Sequence, residues 1–172
     1  MSKALRPFLS CPSHTDEGDV ASASERSSAL RGIQSFVRRC QGDRPLVLII
    51  DDGSEARDLY TAYFEFHGLE AKAAEDGVAG LEMALSIAPD AIVLDFSMPK
   101  MDGGEVLRRL KSDPRTSNIP VVMLTAMPDR VASRTRAGCA AFLAKPCEPD
   151  LLMRALAPLV GDPNPCTVWP GG

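Results

Sequence analysis

Five polar residues stand where runs of aliphatic residues end. Asp51 and Asp52 follow LVLII, Asp95 follows AIVL, Thr125 follows VVML and Lys145 follows AFLA. Carboxylates gathered in one place without compensation repel one another and resist ionisation, so a group of three asks for a cation. Oxygen ligands with no histidine or cysteine among them select Mg2+ or Mn2+. A metal held by few carboxylates commonly serves phosphate chemistry, in which a lysine and a hydroxyl suit the phosphoryl oxygens and a carboxylate can itself be the nucleophile. Taken singly, the same positions have duller explanations: a strand threonine, a solvated lysine beside a turn, an aspartate capping a helix. The chemistry requires that they meet.

The elements that would bring them together alternate in period. Leu46 to Ile50 is a continuous aliphatic run, as expected of a strand buried on both faces. Ser54 is placed to cap a helix with an apolar side of Leu59, Tyr60, Tyr63, Phe64 and Phe66, stopped at Gly68. A weaker strand spans Leu69 to Ala74, and Asp76 caps a helix carrying Val78, Leu81, Ala84 and Leu85 as far as Pro89. Ala91 to Leu94 is the next strand, and Asp102 with Glu105 opens a helix bearing Val106, Leu107 and Leu110 in the manner of a capping box. Beyond the strand VVML, residues 129 to 137 make a poor, Arg-rich helix. A short strand at 141 to 144 precedes a helix from Pro149 with Leu151, Leu152, Ala155 and Leu156, which Pro158 should end or kink. Repeated strand-helix units with short connections call for a doubly wound α/β fold, a five-stranded parallel sheet with helices on both faces. In such a sheet the strand carboxyl ends share one edge, where ligands bind.

Charge and cysteine usage narrow the functional classes. With 19 basic and 23 acidic side chains the formal net charge is -4, which favours neither nucleic acid nor an anionic membrane. No apolar run is long enough to span a bilayer and the N-terminus lacks the core of a signal peptide, so a cytoplasmic protein is expected. Cys11, Cys40, Cys139, Cys147 and Cys166 are odd in number and form no C-x-x-C pair, which suggests free thiols rather than a disulfide framework or a zinc site. Residues 1–44 read as an N-terminal extension and 161–172, rich in Pro and Gly, as a flexible tail, leaving 45–160 as the folded domain. Within the extension, Ala29, Leu30, Ile33, Phe36 and Val37 recur at helical spacing beside Arg31, Arg38 and Arg39. That stretch is either a transient or self-packed helix or a docking element for a partner. His67, ahead of Gly68 at a helix end, is read as structural.

The segments VLIIDD at 47–52, VLDFSMPKMDGGEVL at 93–107, VVMLTA at 121–126 and GCAAFLAKP at 138–146, in that order and spacing, resemble the response-regulator receiver domain of two-component systems. The resemblance implies strand order 2-1-3-4-5 and a phosphoacceptor at Asp95. It further implies Mg2+ (or Mn2+) held by Asp52, Asp95 and the backbone carbonyl of Ser97, with Asp51 acting through water. Thr125 and Lys145 would grip the phosphoryl group, Thr125 and Phe142 would form the switch, and Pro146 would follow a cis peptide bond. The implied partners are a histidine kinase or histidine phosphotransfer protein and an unknown downstream protein, with a monomer or phosphorylation-dependent dimer as the assembly.

One region departs from the family pattern. The interval from Thr125 to Gly138 is shorter than such domains usually show and contains Pro128, so the fourth helix should be short or shifted, with Arg130, Arg134 and Arg136 making its face basic. No output domain fits after Val160, so the expected description is a single-domain regulator with no separate enzymatic activity, signalling through partner binding. Its rivals are a phosphorylation-independent module of the same fold and an aspartyl-phosphate phosphatase. The latter usually carries D-x-D at its nucleophile, where this chain has Asp95-Phe96-Ser97.

Overall fold

The computed structural model describes residues 44–160, the Arg130 side chain excepted. The N-terminal extension, its amphipathic stretch and the tail from 161 lie outside those residues. Strands β1 (Leu46–Ile50), β2 (Glu70–Ala74), β3 (Ala91–Asp95), β4 (Val121–Thr125) and β5 (Ala141–Ala144) alternate with helices α1 (Ser54–Phe66), α2 (Gly77–Ile87), α3 (Gly103–Ser112), α4 (Ser133–Ala137) and α5 (Pro149–Val160). The sheet has the order β2-β1-β3-β4-β5, and every pairing is parallel.

Three central strands, β1, β3 and β4, are buried along their whole length. Their side chains alternate between two cores, because successive strand residues face opposite ways. Val47, Ile49, Val93, Val122 and Leu124 pack with Tyr60 and Phe64 of α1 and Leu152, Leu156 and Val160 of α5. Leu48, Ile50, Ile92, Leu94 and Met123 pack with Ala84 of α2 and Val106, Leu107 and Leu110 of α3. Each large aliphatic or aromatic group so buried contributes roughly 1.5–3 kcal/mol of transfer free energy.

Helix faces and ends differ in places from the sequence expectation. Gly53, not Ser54, is the N-cap of α1, and no side chain caps it; the Gly53 amide is instead taken by Asp51 Oδ1. Only Tyr60 and Phe64 of that helix's aromatic set are buried, while Leu59 and Phe66 face outward. On α2 the buried face is Gly77, Gly80 and Ala84, with Val78 and Leu85 exposed. The small face is required by close approach: a Cβ at Gly80 would lie 2.5 Å from Ile50 Cδ1, and one at Gly77 2.6 Å from Val106 Cγ2. α5 runs through Pro158 to Val160, since only its last turn loses a bond there. Other ends follow the sequence closely. Asp76 accepts from the Val78 and Ala79 amides at 2.9 Å, and Asp102 from the Glu105 amide at 2.8 Å. Glu105 does not complete a capping box; it binds Arg108 and Arg109 instead, which hold its pKa down to about 2. α4 is short, five residues behind a 3-10 turn at Pro128–Arg130, as the shortened interval suggested.

Candidate functional site

Parallel pairing sets the carboxyl ends of the strands on one edge, and the register places them side by side. Asp95 pairs with Leu124 and Thr125 with Ala144. Beyond the ladder, the Phe96 amide donates to the Leu124 carbonyl at 2.8 Å and the Lys145 amide to the Thr125 carbonyl at 2.7 Å. The loops after β3, β4 and β5 therefore begin from fixed positions.

Asp51, Asp52 and Asp95 form one cluster, each offering a carboxylate oxygen within 4.8 Å of the others. Asp51 and Asp95 are buried and Asp52 is exposed, so the cluster opens to solvent on one side. Lys145 reaches in from β5: its Nζ donates to Asp51 Oδ2 at 2.7 Å and lies 3.1 Å from Asp95 Oδ1. The approach to Asp95 is close enough for ion pairing but not aligned as a hydrogen bond, leaving Asp95 Oδ1 buried without an aligned donor. One ammonium faces three carboxylates, so the group remains net negative, and a divalent cation fits both its charge and its oxygen donors.

Burial pushes the Asp95 carboxyl pKa above the ordinary carboxylate range; Lys145 opposes the rise, Asp51 adds to it, and a hydrogen bond from the Ser97 backbone favours the charged form. For Lys145, burial disfavours the charge, yet the bonds and charges of Asp51 and Asp95 outweigh it and the pKa stands above the usual lysine value. Thr125 is fully buried and its Oγ1 accepts from the Met127 amide at 3.1 Å, leaving the hydroxyl hydrogen available to donate. The Lys145–Pro146 peptide bond is cis, as expected.

The floor of the site depends on one glycine. α3 begins so close to the end of β3 that a Cβ at Gly103 would sit 2.4 Å from the Asp95 carbonyl oxygen and 2.8 Å from Phe96 Cα. The Gly103 amide donates to the Phe96 carbonyl at 2.9 Å, which ties the helix start to the residue after Asp95. Phe142 is half-buried at the rim of the second core, with the Arg136 guanidinium 4.9 Å above its ring. Arg136 also donates to the Pro128 carbonyl, joining α4, the β4–α4 connection and Phe142.

Three contacts were not anticipated. Arg57 Nη1 holds the Asp51 carbonyl at 2.8 Å, Tyr60 Oη donates to the Cys147 carbonyl at 3.0 Å and so anchors the segment after Pro146, and Arg136 covers Phe142. The available signal was positional for two of them. Arg57 and Tyr60 lie within two turns of Asp52 on the helix that follows it, whereas nothing local links Arg136 to Phe142.

The class so defined is a doubly wound parallel sheet whose carboxyl edge carries three aspartates, a threonine and a lysine. Residues 47–157 match the family model described as response regulator receiver domain. The chain belongs to that family, whose members serve two-component signalling. It is 40% identical over 116 residues to the response regulator MprA of Mycobacterium ulcerans (strain Agy99), covering 64% of this chain and 49% of that protein. With the DNA-binding dual master transcriptional regulator RpaA of Synechocystis it shares 45% identity over 83 residues, covering 48% of this chain and 34% of RpaA. The solved Francisella response regulator 1452 receiver domain superposes with a TM-score of 0.61 at 28% identity, covering 68% of this chain and 97% of that one. The chain thus spans about half or less of the curated relatives it matches and nearly all of an isolated receiver domain. Among the described residues no helix is long and apolar enough to cross a membrane.

Proposed function

We propose that this domain accepts a phosphoryl group on Asp95 from a histidine kinase or histidine phosphotransfer protein in the cytoplasm, and signals by binding another protein. The observation that carries the reading is the buried Asp95 carboxylate beside two further carboxylates and the Lys145 ammonium. In the transfer, an Asp95 carboxylate oxygen attacks phosphorus as the bond to the donor's imidazole nitrogen breaks; the imidazole leaves with the bonding pair and takes a proton from solvent. Asp52, Asp95 and the Ser97 carbonyl would hold Mg2+ or Mn2+, with Asp51 assisting through water. That ion supplies charge neutralisation of the phosphoryl oxygens.

Lys145 then exchanges its contact with Asp95 for one with the phosphoryl oxygens while keeping Asp51. Thr125 donates its hydroxyl to the same group, and the movement passes to Phe142 through β4 and β5. The functional unit is residues 45–160. It acts as a monomer or a phosphorylation-dependent dimer.

Intact mass spectrometry after incubation with Mg2+ and a small phosphodonor tests this reading. One labile phosphoryl should be gained, and Asp95→Asn should abolish the gain. No gain in the wild type would indicate a phosphorylation-independent binding module, and continuous release of phosphate a phosphatase.

A further inference from the structure

Arg57 takes no part in the transfer chemistry, yet it holds the backbone on both sides of Asp52. Its Nη1 donates to the Asp51 carbonyl at 2.8 Å, and its amide donates to the Gly53 carbonyl at 3.1 Å. The second bond is the opening bond of α1, to its N-cap residue. The first satisfies a carbonyl the sheet leaves over. Asp51 is buried and stands one residue past the last ladder pairs of β1, Ile50 with Ala74 and Ile50 with Leu94. A main-chain carbonyl buried there needs a donor from outside the ladder.

The two neighbouring aspartates are held in different ways. Asp51 is fixed at four points. Its amide donates to the Ala74 carbonyl at 3.2 Å, its carbonyl is taken by Arg57, and its Oδ1 and Oδ2 accept from the Gly53 amide and Lys145 at 2.9 and 2.7 Å. The Asp52 side chain is exposed, so packing does not set its direction; the backbone between Asp51 and Gly53 does. Arg57 grips both ends of that stretch. Asp52 nevertheless offers a carboxylate oxygen within 4.8 Å of those of Asp51 and Asp95.

We propose that Arg57 is a positioning residue of the metal site, keeping the exposed Asp52 carboxylate gathered with those of Asp51 and Asp95 by pinning the carbonyls on either side of it. The proposal rests on the phosphoacceptor reading, in which Asp52 and Asp95 hold Mg2+ or Mn2+. Charge and position make opposite demands here. A guanidinium bonded to the residue beside a metal ligand repels the ion, so on charge alone its removal should tighten binding. Losing an outer partner that orients a ligand instead weakens binding, by roughly 10–100-fold. The low end applies, because Arg57 acts through the main chain and substitution leaves its amide bond to Gly53 in place.

Mn2+ titration of the full chain without phosphodonor, followed by the electron paramagnetic resonance of the free ion, tests this. Arg57→Met should raise the Mn2+ dissociation constant about tenfold. Arg57→Lys should recover most of the loss, since the bond to the carbonyl is single and an ammonium can donate it. Lys111→Met is the control for a purely structural role. Lys111 Nζ donates to the Ser117 and Ile119 carbonyls at 2.9 and 2.8 Å, ahead of β4 and so at the edge opposite the acidic cluster. That variant should lose stability in urea yet bind Mn2+ as the wild type does. Unchanged or tighter binding by Arg57→Met, in a wild type that binds, would overturn the proposal alone. So would equal weakening in Lys111→Met, because affinity would then follow the stability of the fold. A wild type that binds no Mn2+ would remove the proposal together with the reading it rests on.

Discussion

Gly103→Ala probes how tightly the helix start is pressed against the phosphoacceptor strand. The new methyl would stand 2.4 Å from the Asp95 carbonyl oxygen and 2.8 Å from Phe96 Cα, both backbone atoms with no rotamer to yield. Carbon contacts are comfortable at about 3.5–4.0 Å, so the overlap is about 1 Å and α3 must shift. Overpacking of this kind costs about 1–3 kcal/mol, against which replacing glycine returns about 0.4–1 kcal/mol of chain entropy. The net loss is about 1–2 kcal/mol, or a melting temperature lower by roughly 4–8 °C for a domain of this size. Gly104→Ala is the matched control, for its methyl meets only side chains, Asp102 Oδ1 at 3.2 Å and Phe96 Cε2 at 3.5 Å. That variant should lie within about 0.5 kcal/mol of wild type, given the helix propensity gained. Urea denaturation of both, with phosphoryl uptake measured in parallel, should show Gly103→Ala alone losing stability and slowing uptake, since the displaced backbone carries Asp95. Equal stabilities for the two variants would refute the close-approach argument.

Other consequences can be measured separately. Asp95→Asn should raise the melting temperature of the protein in chelator at pH 7. The folded pKa of Asp95 lies above its unfolded value, so stability from this group falls as pH rises from the unfolded toward the folded pKa, and the gain should vanish well below the ordinary carboxylate range. Tyr60→Phe should cost about 1 kcal/mol in urea denaturation by leaving the Cys147 carbonyl without its donor, with uptake on Asp95 retained. Lys145→Ala should still permit phosphorylation but blunt the response, seen as smaller phosphorylation-dependent NMR shifts around Phe142; shifts of undiminished size would contradict the role given to the ammonium.

Strand identity and the convergence of the acidic residues were legible in the sequence because uninterrupted aliphatic runs ending in polar residues have few structural explanations. Helix faces were less so. On α2 nearly every residue is apolar, so periodicity cannot choose a face, and the choice falls to Gly77 and Gly80, where only the absence of a Cβ admits Val106 and Ile50. Phe66 was assigned to the apolar side of α1 by type alone, yet it lies at the helix end, edge-on to His67 at 5.3 Å and largely in solvent. Ser54 was one residue too late to cap, because the Asp51 side chain draws in the Gly53 amide and starts the helix there. The Arg136 contact with Phe142 joins a helix to a strand across a turn, a pairing fixed by tertiary geometry rather than by local pattern.

Direct mapping of the phosphoryl group tests the central claim. Borohydride reduction of the phosphorylated chain converts an aspartyl phosphate to homoserine, which peptide sequencing by mass spectrometry then locates. Homoserine at position 95 alone, formed only when a divalent ion accompanies the donor, is the predicted result. Homoserine at position 51 or 52, or labelling that ignores the ion, would contradict it.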